Sequence, residues 1–549
     1  MPRSHLAART AVAGTLLATV AACTGGSPGV TDTAKPLPTI KGNPPVTLTV
    51  FAPGDSNLKT NAFTKLIKQK FNITIKWQTT TFDGAAAKEK RQISLASGDL
   101  PDLYLLVPWV DQFRQTELLK LSSQGVIQPL NQLINQYGPN IKKAMADIPA
   151  YKRMATAPDG KICGMPQWVD CYHCSYPNKL WMNSAWLKKL GLKPPKTTDE
   201  FRKVLSAFKT KDPNGNGKAD EVPLSGDTGD TIIPYLMNAF IYTPTGNTTP
   251  DANTTLVFND GKTDIQANKE GWREGLRYIK SLYDKHLFES SAFTQNADAL
   301  KKLGDNANAV ILGSAAALHP GFVTQGQKDG RDRQYDALTP LTGPEGKSYT
   351  TYALPSMPGA TFVLTTKASQ TEQIQAIKML NYIFSHEGEL NGRFGPEGKG
   401  WVEPGPKDIA LDKSLKPKYK VKPTDNGNWG AIAQYNDTAE FRNTQAIAKD
   451  TKTPDGYERR LFDATKLYEP HAEKAETFPY GEAWIDPAQA SELATLQTNI
   501  GTFVQQSAVQ FITGKKSLDS DWDSYVKDLD KLGLERFLEI YQQSYDKTH

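Results

Sequence analysis

Between Asp212 and Glu221 the chain reads DPNGNGKADE, with oxygen-bearing side chains on alternate positions. With Asp212 as position one, Asn214 stands at three, Asn216 at five, Gly217 at six, Lys218 at seven and Asp220 at nine. A calcium loop supplies its ligands in this order: side-chain oxygens first, a glycine where the turn is sharpest, then a backbone carbonyl. Oxygen donors without His or Cys select a hard cation over a transition metal. Position twelve is Pro223 in place of the usual bidentate Glu, which makes Glu221 the nearest substitute. The expected role is a structural Ca2+ that staples a loop, since nothing adjacent supplies a positioned base. The competing reading is an Asn-Gly turn whose side chains satisfy their own backbone.

The N-terminus bears on the remaining chemistry because it fixes the compartment. MPRSHLAART is a positive start, AVAGTLLATVAA a short apolar run, and Cys23 follows two alanines at the cleavage position. Such a run is too short to span a bilayer and reads as an export signal over 1–22. The placement of Cys23 resembles the lipobox of bacterial lipoproteins, which implies a lipidated cysteine on the outer face of the cell membrane. Residues 23–45 are rich in Gly, Pro, Ser and Thr without apolar period, as a flexible tether would be.

An exported chain favours disulfides over free thiols, and Cys163, Cys171 and Cys174 leave one cysteine unpaired. The sequence does not choose the pair. Cys171-Tyr172-His173-Cys174, with Cys163 nearby, also offers zinc ligands, but a second well-spaced ligand pair is missing. Nor does this CxxC open a clear helix after a strand, as a redox motif would. There is no GxSxG, HExxH, Walker loop or GxGxxG. A carboxylate pair at glycosidase spacing keeps open a cell-surface hydrolase or lyase. A calcium-stabilised adhesin has little support without domain repeats.

These residues need a scaffold. With 549 residues, 38% hydrophobic and 22% charged, the chain is globular and too long for one core. Its formal charge of +5 falls to +3 without Arg3 and Arg9, and no basic run suggests nucleic acid. Strands are expected at 46–53, 72–78 and 102–107, with helices at 61–70 and 85–96 between them. That alternation means βαβ units and a parallel sheet, whose ligands lie beyond the C-terminal strand ends. The loops after Phe51 and Val107 are the first places to look. Further helices are expected at 198–208, capped by Thr198, and at 272–283 and 371–384. Residues 496–545 read as mostly helical with a break at Thr513-Gly514.

GKICGMPQW, LWMNSAWLKKLGLKPPKTTDEF and DPNGNGKADEVPL resemble the extracellular solute-binding proteins of carbohydrate ABC transporters. The likeness is to the large lipoprotein branch that includes alginate-oligosaccharide-binding proteins. SGDLPDLYLL, FGPEGKGW and the closing DWDSYVKDLDKLGLERFLEIYQQSYD are similar to further segments of that branch. The resemblance implies a two-lobed α/β fold of the periplasmic-binding-protein type (type II-like), with a hinge and an interlobe cleft. Lobe 1 is expected over 46–165 plus a segment near 308–400, and lobe 2 over 166–307 plus much of 401–549. It also implies a calcium loop with ligands Asp212, Asn214, Asn216, the Lys218 carbonyl, Asp220 and Glu221. A non-enzymatic, monomeric receptor that captures an oligosaccharide and presents it to membrane permease subunits is the implied function.

A sugar needs flat apolar platforms for its ring faces and polar groups for its hydroxyls. Trp186, Trp272 and Trp522 lie on expected helices, and Trp77 and Trp181 in or beside strands, where packing explains them. Trp109, Trp168, Trp401, Trp429 and Trp484 fall in loops and are the candidate platforms, with Asp170 and Arg393 as candidate hydroxyl or acid partners.

Overall fold

The computed structural model describes residues 37–54, 57–228, 232–244, 254–325, 330–355, 358–422, 427–435 and 437–549. Cys23 and the export signal lie outside the described residues, as does most of the tether. Among the described residues no helix is long and apolar enough to cross a membrane.

The β-branched run VTLTVFAP forms strand β1 (Val46–Pro53), which pairs in parallel with β2 (Ile73–Thr80) along its whole length and with β3 (Leu103–Leu105). Helix Ala62–Phe71 connects β1 to β2, buries Phe63, Ile67 and Phe71, and is capped by the Asn61 side chain. Helix Gly84–Ser97 connects β2 to β3 and stops at Gly98. A helical crossover between parallel strands is what this alternation dictates.

A second sheet is built on β4 (Lys179–Asn183), which is buried throughout. A hairpin follows from β5 (Leu256–Asn259) and β6 (Lys262–Ile265). Strands β7 (Ser314–Ala317) and β8 (Tyr335–Leu338) flank β4 on either side, both antiparallel. Strand β9 (Phe362–Leu364) then returns to the first sheet as an antiparallel neighbour of β3, giving the order β2-β1-β3-β9. The expected lobe boundaries are therefore corrected. Within 308–400, residues 314–338 pair with β4 in the second sheet, and only from β9 onward does the chain rejoin the first.

Each sheet carries its own apolar core. Leu48, Val50, Leu103, Ile374, Ile377 and Leu380 belong to the first. Leu180, Phe201, Leu205, Leu276 and Ile279 pack in the second with Ile500, Phe511 and Phe537 from the C-terminal helices. Trp429, Ile432 and Tyr435 belong to the first core although they lie in the stretch expected for lobe 2. The helices at Glu270–Tyr283 and Gln370–Ile383 match their apolar periods, and Ala490–Ile512 ends at Thr513 as the Thr-Gly break suggests. Helix Thr198–Thr210 is capped by Thr197, not Thr198. The reason is Glu200, three residues after Thr197, whose side chain reaches back to complete a capping box. A cap at Thr198 would put Phe201 in that place, which cannot accept a bond.

Candidate functional site

Three segments cross between the two sheets, and they run side by side. The first leaves β9 at Met165, whose N–H donates to Phe362 O, and enters β4. The second returns through Ala353 and Thr361. The third contains Gln434 and Tyr435. Trp168 is bridged to Tyr435, and the Val169 N–H donates to Pro355 O. All three meet at the C-terminal end of β3. The Leu106 N–H donates to Thr361 O at 2.8 Å, and Gln434 Nε2 donates to Leu106 O at 3.4 Å. Strand ends converging on a crossing of this kind form the floor of a cleft, where ligands of α/β sheets bind.

Beyond those ends stand two exposed aromatic rings. Trp109 follows β3 and is 59% exposed, and Phe82 follows β2 and is 45% exposed. Their loops touch: a Cβ built on Gly84 would lie 2.8 Å from Val110 O, so only glycine allows this approach. Among the described residues the other large exposed apolar side chains are Ile93 and Leu467, neither aromatic. Phe82 escaped the sequence reading because it sits between Thr81 and Asp83 as a single apolar residue in a polar turn. Its signal was available, since the loop after β2 ends at the same sheet edge as the loops after Phe51 and Val107.

The other four tryptophans are buried, which corrects the expectation of open platforms at those positions. Trp429 is wholly enclosed, its ring edge-on to Phe63 at 4.6 Å and to Trp77 at 5.6 Å, with Nε1 donating to Thr64 Oγ1. Trp484 fills the core behind Tyr104 and Phe113 and donates to Arg153 O at 3.0 Å. Trp401 packs with Tyr419 and Phe441 and donates to Asn391 Oδ1 at 2.8 Å. Trp168 packs edge-on to Tyr151 at 5.6 Å, and its buried Nε1 has no partner among the described residues. In each case the indole supplies area to a core, as buried tryptophan usually does.

Polar groups gather on the crossing. The Asp170 carboxylate accepts the Ala439 N–H at 2.8 Å, and burial raises its pKa against the pull of Arg442 and Lys474. Burial, reinforced by repulsion from Arg393, lowers the Arg442 guanidinium to about 10. Its Nη1 is buried and has no partner among the described residues. Arg393 reaches Glu389 at 3.5 Å, and burial pushes that carboxyl up to about 7. A cavity of about 550 Å3 opens from Pro108, between helix Gly84–Ser97 and helix Ala490–Ile512. Of the cations that line it, Lys88, Arg91 and Arg114, the buried Arg91 is already committed to Asp111 at 2.6 Å and to Glu117 at 2.7 Å.

The loop at 212–221 is held at both ends. Helix Thr198–Thr210 leads into it, and Val222 leaves it by exchanging backbone bonds with Ile311 and Gly313. Asp212 accepts the N–H groups of Gly215, Asn216 and Gly217, and Gly217 has φ +73°. The Asn214 and Asn216 side chains donate to Asp220 at 2.9 and 3.0 Å, and the Asn216 oxygen accepts the Lys218 N–H. Glu221 is 1% exposed, and its Oε1 has no partner among the described residues. Burial raises its pKa, and the nearby Asp212 and Asp220 raise it further. A buried, unpaired carboxylate beside two others is the arrangement a cation resolves, so the residues fit the calcium shell.

Cys171 and Cys174 form a disulfide, with Cα atoms 5.1 Å apart, and Cys163 is a buried free thiol in the core with Tyr104. The pairing that the sequence left open is thus the CxxC pair.

The fold and site define a two-lobed ligand-binding protein with a cleft at its crossing segments. The chain belongs to the bacterial extracellular solute-binding protein family, whose model matches residues 55–390. It is 29% identical over 510 residues to the fructooligosaccharide ABC transporter substrate-binding protein FusA of Streptococcus pneumoniae serotype 4, covering 90% of this chain and 88% of that protein. The structure of FusA with kestose matches at a TM-score of 0.68 and 26% identity, covering 91% and 99% of the two chains. A FusA variant described as an EF-hand mutant matches equally well. An HMO-binding, ABC-transporter-associated solute-binding protein from Bifidobacterium longum infantis shares the fold at TM-score 0.73 and 20% identity, over 92% and 99%. The alginate-binding protein AlgQ2 does so at 0.62 and 21%, over 91% and 98%. These relatives are transporter binding proteins, not enzymes, and the chain has that character: the hydrolase or lyase reading is set aside.

Proposed function

We propose that this protein is the oligosaccharide receptor of an ABC importer, tethered through a lipid on Cys23 outside the cell membrane and acting as a monomer. The carrying observation is the pair of exposed rings, Phe82 and Trp109, on adjoining loops beyond the strand ends. Sugar rings stack on such faces, while Asp170 and Arg442 on the crossing offer an acceptor and a donor to hydroxyls. With carboxylates and guanidinium groups mixed there, the favoured ligand is a neutral oligosaccharide, and the likeness to FusA makes fructooligosaccharides the first class to try. Closure of the two lobes about the crossing segments then presents the sugar to the permease.

The reading includes a structural calcium held by Asp212, Asn214, Asn216, the Lys218 carbonyl, Asp220 and Glu221. Its support is the orphaned Glu221 oxygen and the EF-hand described in FusA. The ion would neutralise the loop's carboxylates and tie helix Thr198–Thr210 to the second sheet.

Thermal unfolding against neutral and acidic oligosaccharides tests the proposal. A ligand at one hundred times its Kd adds about 2.7 kcal/mol of stability. Stabilisation by a neutral fructooligosaccharide, with the sugar recovered intact by mass spectrometry, is expected. Stabilisation by uronic acids alone overturns the neutral-sugar reading, and cleaved products overturn the receptor itself.

A further inference from the structure

The turn 171–174 holds three metal-ligating side chains within the first crossing segment. The ligand atoms of Cys171, His173 and Cys174 all lie within 4.8 Å of one another, and Cys171 Sγ is 3.5 Å from His173 Nε2. A tetrahedral zinc with Zn–S about 2.3 Å and Zn–N about 2.0–2.1 Å has a sulfur–nitrogen edge of about 3.5 Å and a sulfur–sulfur edge of about 3.8 Å. The Cys171–His173 edge is already present, and the rest of the set lies within 4.8 Å, so reduction must part the two sulfurs and bring Cys174 into reach of the same ion. On the far side of the imidazole, Nδ1 lies 3.5 Å from Glu458 Oε2. A carboxylate on one ring nitrogen with the metal position on the other is how protein sites orient a ligating histidine. A cavity of about 20 Å3, lined by His173, Arg442, Asn443 and Glu458, adjoins the turn and has room for about one water. The turn is also held in place: Lys179 Nζ donates to His173 O at 2.9 Å, and the Tyr172 hydroxyl donates to Glu469 at 2.8 Å.

We propose that this turn is a redox-gated soft-metal site, closed as a disulfide and, once reduced, holding one zinc-class ion on Cys171, Cys174 and His173, with Glu458 positioning the imidazole. An external dithiol supplies two electrons and two protons: the Cys171–Cys174 bond breaks, both sulfurs become thiols, and the dithiol becomes a disulfide. The metal then displaces both thiol protons. Two thiolates cancel the charge of a divalent ion. Because Trp168 upstream lies in one core and Tyr176 downstream in the other, the state of the turn sets the stiffness of the crossing.

Cobalt is the probe, added to the full chain in saturating calcium so that the acidic loop takes no cobalt. A phosphine replaces the dithiol, since it competes less for metal. The reduced chain should bind one cobalt with the absorption of a tetrahedral thiolate site, released by zinc, and the oxidised chain should not. Glu458→Gln should weaken cobalt binding by about 10–100-fold, and the Cys171→Ser, Cys174→Ser double variant should lose the absorption. Equal absorption in the double variant assigns the thiols elsewhere and overturns the proposal. So does its absence from the reduced chain, or a reduced chain without a cooperative unfolding transition.

Discussion

Glu221→Gln should change stability in opposite directions with and without calcium. In chelator, the native chain carries a buried carboxylate with one oxygen unpartnered, beside Asp212 and Asp220. An unsatisfied buried polar group costs about 1–3 kcal/mol, and more when charged. The amide keeps the shape and removes the charge, so the variant should gain about 1–3 kcal/mol in chelator. In calcium the order reverses. A site filled at 100–1,000 times its Kd adds about 2.7–4.1 kcal/mol, and an amide replacing a carboxylate ligand forfeits most of that. A cooperative unit of 150–250 residues shifts in Tm by about 2–4 °C per kcal/mol. Calorimetry of both proteins in calcium and in chelator should therefore give melting curves that exchange order by several degrees. A variant less stable than the native chain in both conditions would refute the unpaired-carboxylate argument. Equal calcium shifts in the two proteins would remove Glu221 from the shell.

Trp109→Ala and Phe82→Ala should each weaken oligosaccharide binding by about 1–2 kcal/mol, roughly 5- to 30-fold by calorimetric titration, with stability within about 0.5 kcal/mol of native. Trp429→Ala should do the reverse, costing about 3–5 kcal/mol in denaturant unfolding while the folded fraction binds sugar normally. Glu389 has a folded pKa near 7, above its unfolded value of about 4.3. Its stabilising contribution is full below the unfolded value and fades as pH rises through 7, by up to about 3 kcal/mol. Denaturant midpoints between pH 4 and 8 should show that slope, and Glu389→Gln should flatten it.

What could be read from the sequence was what lies close together in it. The proposed calcium loop would draw all its donors from ten consecutive residues, and β1 to β3 declare themselves because each strand and each crossover helix carries its own period. The cleft is different, since its parts come from the ends of β2 and β3 and from segments near 170 and 440. Adjacency to Gly, Pro or Asp placed five tryptophans in loops, yet Trp429 sits in helix Gly427–Ile432 and Trp401 opens the short strand Trp401–Val402, and adjacency says nothing of which way a ring turns. Trp429 shows why: its neighbours Phe63 and Trp77 lie more than three hundred residues away and enclose it completely. Strand β9, with three residues, is likewise too short for any period, yet its antiparallel pairing with β3 returns the chain from the second sheet to the first. The same distribution explains a receptor that closes on its ligand. In the proposed receptor the rings of the first lobe and the polar groups of the crossing share one ligand, so binding energy gained at the crossing would be available to lobe closure.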